Sequence, residues 1–355
     1  MSDGLLREAL QKAASGDTLT FGEAERALGE IMSGNASPSV TAALLTALRL
    51  RGESASEIAG SARAMRRFAQ KVEVPAEYAE SLVDTCGTGG DAKGTLNVST
   101  GAAFVARGAG APVAKHGNRS ATSKSGSADV LEALGAGIEL GPDEVGVSMA
   151  ETGIGFMFAR THHPAMRHVA PVRGELPFRT IFNLLGPLTN PAGAKRQLVG
   201  VFSRDYVSPM AEALAELGAE RALVVHGADG LDEITVTDRT RVAEVCGGDI
   251  LEYELTPEGM GLSLHDPDGL LGGDAHDNAR ILADVLRGEP GAARDITLAN
   301  AGAAIYVSGA ADSVERGVTL AARSVDTGAA RESLEAFIKT TRRLAGLGPL
   351  SGGMF

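Results

Sequence analysis

Up to Phe68 the apolar positions recur three and four residues apart, and each run is closed by a turn residue, the mark of short amphipathic helices. The first run, over 5–14, ends at Gly16. Thr20 and Glu23 form a candidate capping box ahead of a second helix, which Gly34 closes. Ser37-Pro38 sets proline at the first position of a third helix, apolar through Leu50. Ser54 and Glu57 make another candidate box for a fourth, running to about Phe68. Nothing in this stretch carries chemistry of its own.

Near Val74-Pro75 the period changes, and short apolar runs alternate with longer helical stretches. The pattern predicts strands over 81–84, 112–115, 154–158, 197–202 and 222–226. Helices are predicted over 98–107, 129–134, 144–151, 208–217 and 278–286, and the tail over 295–344 is helical again. Strands alternating with helices imply βαβ units and a mostly parallel sheet. The expected class is α/β: a small N-terminal all-helical domain over 1–74, then a larger domain over 75–355 with a mostly parallel sheet flanked by helices. At 355 residues the chain has room for both.

Charge narrows the function. A formal net charge of −12 argues against a general nucleic-acid binder, which would carry surplus Lys and Arg to neutralise phosphates. Yet residues 92–128 hold no acid and include Lys93, Arg107, Lys115, Arg119 and Lys124. Residues 154–196 hold Arg160, Arg167, Arg173, Arg179, Lys195 and Arg196 against the single acid Glu175. Two basic stretches in an acidic chain suit a focused pocket for a small anion, and suit equally a chance clustering on solvated faces. Cys86 and Cys246 form no CxxC pair and no metal spacing, which fits a reducing compartment. The start of the chain lacks the cationic and apolar regions of a signal peptide, and no apolar run is long enough to span a membrane. A cytoplasmic protein is expected.

The most informative segment is DTCGTGGD at 84–91, followed by NVST at 97–100. A strand runs into a glycine-rich turn, and a helix begins near Val98. Glycine permits positive φ and close approach of the backbone to a ligand, successive amides form an anion nest, and the helix start adds free N–H groups. Asn97, Ser99 and Thr100 offer hydrogen bonds to phosphate, or caps for the helix. The spacing is neither the P-loop nor the dinucleotide fingerprint, so kinase and dehydrogenase readings lose their support. Alone, this segment reads also as an ordinary strand-to-helix turn with Asn97 as N-cap.

A second polar loop, KHGNRSATSKSGS at 115–127, follows the next predicted strand. In a parallel sheet both loops leave from one carboxyl edge, where open α/β sheets bind ligands. Lys115, Asn118, Arg119 and the hydroxyls of Ser120, Thr122 and Ser123 suit an anionic sugar phosphate. GLDE at 230–233 follows the strand at 222–226. Its adjacent carboxylates can offer oxygens to Mg²⁺, which prefers carboxylates plus substrate phosphates to an all-protein cage. Arg173 suits bidentate pairing with a carboxylate, or a local salt bridge to Glu175. His162-His163 has no third ligand nearby in sequence, so pocket lining is the better reading than metal binding.

Taken together, DTCGTGGD, NVST, KHGNRSATSKSGSADVLEALG at 115–135, HHPAM at 162–166, RTIFNLLGPLTNP at 179–191 and GLDE resemble the anthranilate phosphoribosyltransferase family, in the family's order and over most of the chain. The resemblance implies transfer of the phosphoribosyl group of phosphoribosyl pyrophosphate (PRPP) to the amine of anthranilate, a step of tryptophan biosynthesis. By position it implies that Gly87, Gly90, Asp91, Thr95, Asn97, Val98, Ser99 and Thr100 contact PRPP. Lys115, His116, Gly117, Asn118, Arg119, Ser120, Ala121, Thr122, Ser123 and Ser127 line the rest of that site. Gly87, Asn118 and Arg173 match the anthranilate contacts, and Ser99, Asp232 and Glu233 the Mg²⁺ ligands. A homodimer formed through the helical part, which a segment near 174–195 helps to complete, is implied as well.

Two places depart from the family pattern: Ala159-Arg160 where Ala-Pro is more usual, and Leu176-Pro177 where Leu-Gly is common. Both flank the acceptor side, and Pro177 is compatible with the first turn of a helix. The implied chemistry has an oxocarbenium-like transition state and no essential general base, with His116 lining or orienting. The competing readings are a pyrimidine nucleoside phosphorylase, whose chains carry a further C-terminal domain, and a non-catalytic binder, which would lack the acidic pair or Arg173.

Overall fold

The computed structural model describes residues 2–90, 93–120 and 124–349. Its first helices are α1 (Ser2–Ala14), α2 (Phe21–Met32), α3 (Pro38–Arg51) and α4 (Ala55–Phe68). Both predicted capping boxes form: Thr20 and Ser54 accept from the amides of Glu23 and Glu57, whose carboxylates accept from the cap amides in return. Glu57 does more. Wholly buried, it also accepts from the Leu19 amide at 2.7 Å and pairs with Arg51. One carboxylate thereby ties the start of α4 to the α1–α2 connection and to the end of α3.

The chain continues through β1 (Val83–Gly87), α5 (Val98–Gly108), β2 (Val113–Gly117), α6 (Ser127–Ala133), α7 (Pro142–Thr152), β3 (Ile154–Phe158) and α8 (Ala159–His162). It then forms α9 (Ala170–Glu175), α10 (Phe182–Leu185), β4 (Arg196–Gly200), α11 (Val207–Glu216), β5 (Arg221–Gly227), β6 (Thr240–Cys246) and β7 (Asp249–Leu255). Four helices complete it: α12 (Ala275–Arg287), α13 (Ala292–Ser308), α14 (Val314–Asp326) and α15 (Ala329–Leu344). The seven strands lie in the order β3-β2-β1-β4-β5-β6-β7, the first five parallel and the last two antiparallel. This is the expected α/β class, a small helical part and a mostly parallel sheet flanked by helices.

Three differences from the predicted elements have physical causes. β1 runs past 84 to Gly87 because Asp84 is satisfied inside the protein, by the His116 amide and by Asn190. β2 runs past 115 to Gly117 because the buried Lys115 finds acceptors. The β6–β7 hairpin was not predicted, although its signal is local: Gly247-Gly248 stands between the two strands, with φ of 59° and 97°. Positive φ at both central residues is what a tight two-residue hairpin turn requires.

Two large cores hold the layers. One packs α5, α13, α14 and α15 on one face of the sheet through Phe104, Leu298, Val318 and Phe337. The other joins the α1–α4 helices to the opposite face, through Leu28, Leu45 and Ile58, then Ile181 and Leu185 of the 181–188 segment, to Val199 and Val224. Replacing Glu57 by Ala leaves two amides and the Arg51 guanidinium without their partner. The expected loss is about 3 kcal/mol of stability in chemical denaturation, and a change within error would contradict the assigned tie.

Candidate active site

The parallel strands β1, β2, β4 and β5 all end on glycine at the carboxyl edge of the sheet. At two of these ends the reason is contact. A Cβ on Gly200 would stand 1.6 Å from the Asp232 carbonyl oxygen, and one on Gly87 would stand 2.6 Å from Asp232 Oδ2. The loop after β5 therefore folds back over the ends of β1 and β4. There the Gly89 amide donates to Asp232 Oδ2 at 2.7 Å. The glycine-rich loop and the acidic pair, remote in sequence, meet at one place.

Both flanks of the acidic pair are anchored. The Asp229 carboxylate accepts from the Leu231 amide at 3.1 Å and from the hydroxyls of Thr235 and Thr237, each at 2.5 Å. Asn300, buried on α13, accepts from the Ile234 amide at 3.0 Å and donates to the Ile234 carbonyl at 2.8 Å. Asp232 and Glu233 are thus held in a loop with fixed geometry at either end.

Beneath the glycine ends lies a buried polar layer. Lys115 Nζ donates to the Thr85 carbonyl at 2.5 Å and to Ser99 Oγ at 3.2 Å. Fully buried Asp84 accepts from the His116 amide at 3.1 Å and from Asn190 Nδ2 at 2.7 Å, and Asn190 Nδ2 also reaches the Ala114 carbonyl at 2.8 Å. Burial pushes the Asp84 carboxyl above its usual range and the Lys115 ammonium below its own. Each charge opposes the other's shift.

The segment around Asn97 takes an unexpected form. Thr95 pairs with Leu271 in an isolated bridge, and the Leu96 amide donates to the Leu270 carbonyl at 3.1 Å. Asn97 stands at the N-cap position of α5 but makes no cap with its side chain. Its Oδ1 instead accepts from Ser125 Oγ at 3.1 Å and from Asn278 Nδ2 at 2.8 Å. Val98 and Thr100 are buried, Thr100 with its hydroxyl unpartnered, while Ser99 is half-buried.

In the second loop the Asp129 carboxylate accepts from the amides of Gly126 at 2.9 Å and Ser120 at 3.1 Å. Asn118 Oδ1 accepts from the Arg119 amide at 2.8 Å, and the Asn118 carbonyl from Ser127 Oγ at 3.3 Å. Arg119 itself turns to Asp129 and Glu132, both at 2.8 Å. Asp91, Ala121, Thr122 and Ser123 lie outside the described residues.

On the acceptor side, Arg173 of α9 is half-buried and lies over the Phe182 ring, 5.5 Å from its centroid. The salt bridge to Glu175 does not form, and no carboxylate among the described residues pairs with Arg173. Burial holds its guanidinium below the usual value. His116 Nδ1 lies 3.1 Å from the Gly186 carbonyl, and its ring packs 5.0 Å from that of His163. His162, also buried, donates from Nδ1 to the Phe158 carbonyl at 3.1 Å. Pro177 does not begin a helix. It follows the end of α9 in a bend, and Leu176 before it has ψ of 119°, the extended backbone that proline imposes on its predecessor.

Known proteins match this architecture over nearly its whole length. Residues 79–331 match the model for the glycosyl transferase family, a/b domain, and residues 7–69 match that family's helical bundle domain. An anthranilate phosphoribosyltransferase of Rubrobacter xylanophilus is 71% identical over 345 residues, 97% of this chain and 100% of its own. The chain belongs to the anthranilate phosphoribosyltransferase family. Among solved structures, the anthranilate phosphoribosyltransferase of Thermus thermophilus is 49% identical with a TM-score of 0.88, over 94% of this chain and 99% of its own. The Saccharomyces cerevisiae enzyme in complex with PRPP and Mg is 30% identical with a TM-score of 0.86, over 96% and 98%.

Within this anthranilate phosphoribosyltransferase fold, several residues at the site had been given no role by the sequence. Arg179 donates to the Gly90 carbonyl and lies 4.2 Å over the Phe202 ring, bracing the glycine loop from the side. Asp84 and Asp229 act from within or beside the two loops, while Asn190, Asn278 and Asn300 reach the site from elements remote in sequence. Asp84, Arg179 and Asn190 lay within recognised motifs, while nothing local marks Asn278 or Asn300. Among the described residues no group of three or more His, Cys, Asp or Glu is arranged to hold a metal ion, and no helix is long and apolar enough to cross a membrane.

Burial drives the His116 ring down to about 3 and the His163 ring down to about 4, with the neighbouring imidazole adding to each shift. Between pH 6.5 and about 4 the unfolded chain takes up protons on these rings that the folded chain refuses, so stability falls as pH falls through that window. The urea midpoint is expected to decline across it, and to decline less steeply in His163→Gln. Equal slopes in the two proteins would refute the assignment.

Proposed function

We propose that the chain transfers the 5-phosphoribosyl group of PRPP to the amine of anthranilate, with release of pyrophosphate. The observation that carries this is the meeting of Gly87, Gly89, Asp232 and the Lys115–Ser99 pair at one sheet edge, in a chain 71% identical to an anthranilate phosphoribosyltransferase. PRPP occupies the mouth formed by Gly87, Gly90, Thr95, residues 97–100, Lys115 to Ser120 and Ser127; the family resemblance assigns Asp91, Ala121, Thr122 and Ser123 to PRPP as well. Anthranilate binds beside it, at Gly87, Asn118 and Arg173. The half-buried Arg173 guanidinium pairs with no carboxylate among the described residues, which supports pairing with that of the acceptor.

Asp232, Glu233 and Ser99 offer hard oxygen donors at this mouth. So small a set suits a cation that completes its shell with substrate phosphate, as Mg²⁺ does. When bound there, Mg²⁺ supplies positive charge to the departing pyrophosphate. The chain's own residues do the rest. As the bond from the anomeric carbon to pyrophosphate breaks, Lys115, the glycine-loop amides and the N-terminus of α5 meet the growing negative charge. The amine of anthranilate then bonds to that carbon and gives up its proton to the departing pyrophosphate or to water. A neutral aromatic amine needs placement more than activation. His116 is buried and pushed down to about 3, so it is a very weak base, which supports a lining role.

The helical domain is taken as residues 1–74, joined by the segment near 174–195. Arg66 Nε donating to the Leu188 carbonyl at 2.6 Å supports that junction. We further propose a homodimer formed through this domain, where Leu50 at the end of α3 is 82% exposed, and a cytoplasmic location, which the unpaired Cys86 and Cys246 support.

Purified protein is expected to quench anthranilate fluorescence only when PRPP and Mg²⁺ are both added, and Asp232→Asn to abolish the loss. Bound PRPP without loss of fluorescence would sink the acceptor assignment. His116→Ala should keep measurable turnover in the same assay. A fall to the uncatalysed rate would show that the imidazole does proton-transfer work after all.

A further inference from the structure

Asn278 belongs to no motif, yet it ties four segments together. It sits in the first turn of α12, 3% exposed, beneath both phosphate-loop candidates. Its Oδ1 accepts from the Gly273 amide at 2.8 Å, while its Nδ2 donates to Asn97 Oδ1 and to Ser125 Oγ, each at 2.8 Å. Ser125 Oγ in turn donates to Asn97 Oδ1 at 3.1 Å, so that oxygen receives two hydrogen bonds.

The destination of Asn97 Oδ1 matters because of where Asn97 stands. Asparagine at an N-cap position is among the best cappers, its oxygen taking the amides of the first helical turn. Those amides are the groups that make a helix N-terminus an anion site. A side chain that caps the helix competes with phosphate for them. Here no capping bond forms, and the first turn of α5 carries no acidic residue to compete in its place.

We propose that Asn278 is a positioning residue for the phosphoribosyl donor: with Ser125 it draws the Asn97 carboxamide away from the start of α5 and keeps the helix amides open to phosphate. The inference rests on the donor site proposed above. It explains why an asparagine can occupy an N-cap position there without closing the site. It also links α12 to donor affinity through a residue that touches neither substrate.

Asn278→Asp keeps the acceptor for Gly273 and nearly the same shape, but removes the donor to Asn97. It is expected to raise both KM and Kd for Mg–PRPP about tenfold, the worth of roughly one hydrogen bond at a charged group, while KM for anthranilate stays close to wild type. Ser125→Ala, which removes the other donor, should shift the same constants in the same direction. In an Asn97→Ala background Asn278→Asp should cost nothing further, because the competing cap is gone. Unchanged PRPP binding, an equal rise in both KM values, or the same loss in the Asn97→Ala background would each overturn the inference. Failure of the wild-type protein itself to bind Mg–PRPP in calorimetry would instead sink the donor site on which it stands.

Discussion

The carbonyl oxygen of Asp232 fills the space that a side chain on Gly200 would need, and its carboxylate fills the corresponding space at Gly87. Much of the site's geometry follows from that contact. It sets the acidic loop flat on the ends of β1 and β4, where the Gly89 amide reaches the Asp232 carboxylate. It also requires the strands to end on residues without a Cβ, so the glycines serve the packing of a neighbouring loop as well as access for a ligand. Asp229 and Asn300 then hold the two flanks of that loop, so the carboxylates need little ordering when a ligand arrives.

Below this contact the protein accepts the cost of burying charge. Asp84 and Lys115 are both inside, and each is satisfied by several hydrogen bonds rather than by a direct ion pair. A buried charge with complete hydrogen bonding is tolerable and rigid, whereas one that loses a partner is strongly destabilising. The arrangement aims an ammonium at Ser99 from under the sheet edge, in a chain whose overall charge is −12. Excess acid elsewhere does not cancel this field, because exposed charges are screened over about 10 Å and the interior ones are not. The acids close to the loops are themselves structural: Asp129 accepts from the amides of Ser120 and Gly126 and, with Glu132, holds Arg119.

Family membership and the local geometry contribute different things. Similarity to known enzymes names the reaction class. The geometry adds particulars: a half-buried Arg173 that pairs with no carboxylate among the described residues, and a histidine at 116 that burial pushes down to about 3. Pro177 shows the limit of reading one position from its neighbours. It is compatible with a helix start, but it follows a helix end, because the residue before proline is driven to extended backbone.

Features that depend on residues a few positions apart were determined by the sequence alone. The capping boxes at Thr20–Glu23 and Ser54–Glu57, the five parallel strands, the glycine loop and the acidic pair are all of this kind, since a turn, a cap or a strand is a short-range event. The β6–β7 hairpin was equally local, and its Gly-Gly turn went unused. Tertiary structure alone decided the rest: that Glu57 would also anchor Leu19 and Arg51, that the strands would run on past Asp84 and Lys115 and bury both, and that Asn97 would turn from its own helix toward Asn278. In each case a polar side chain chose between a partner nearby in sequence and one brought close by the fold. Burial settles that choice, because a group removed from water must take whichever donors and acceptors the packed neighbours supply.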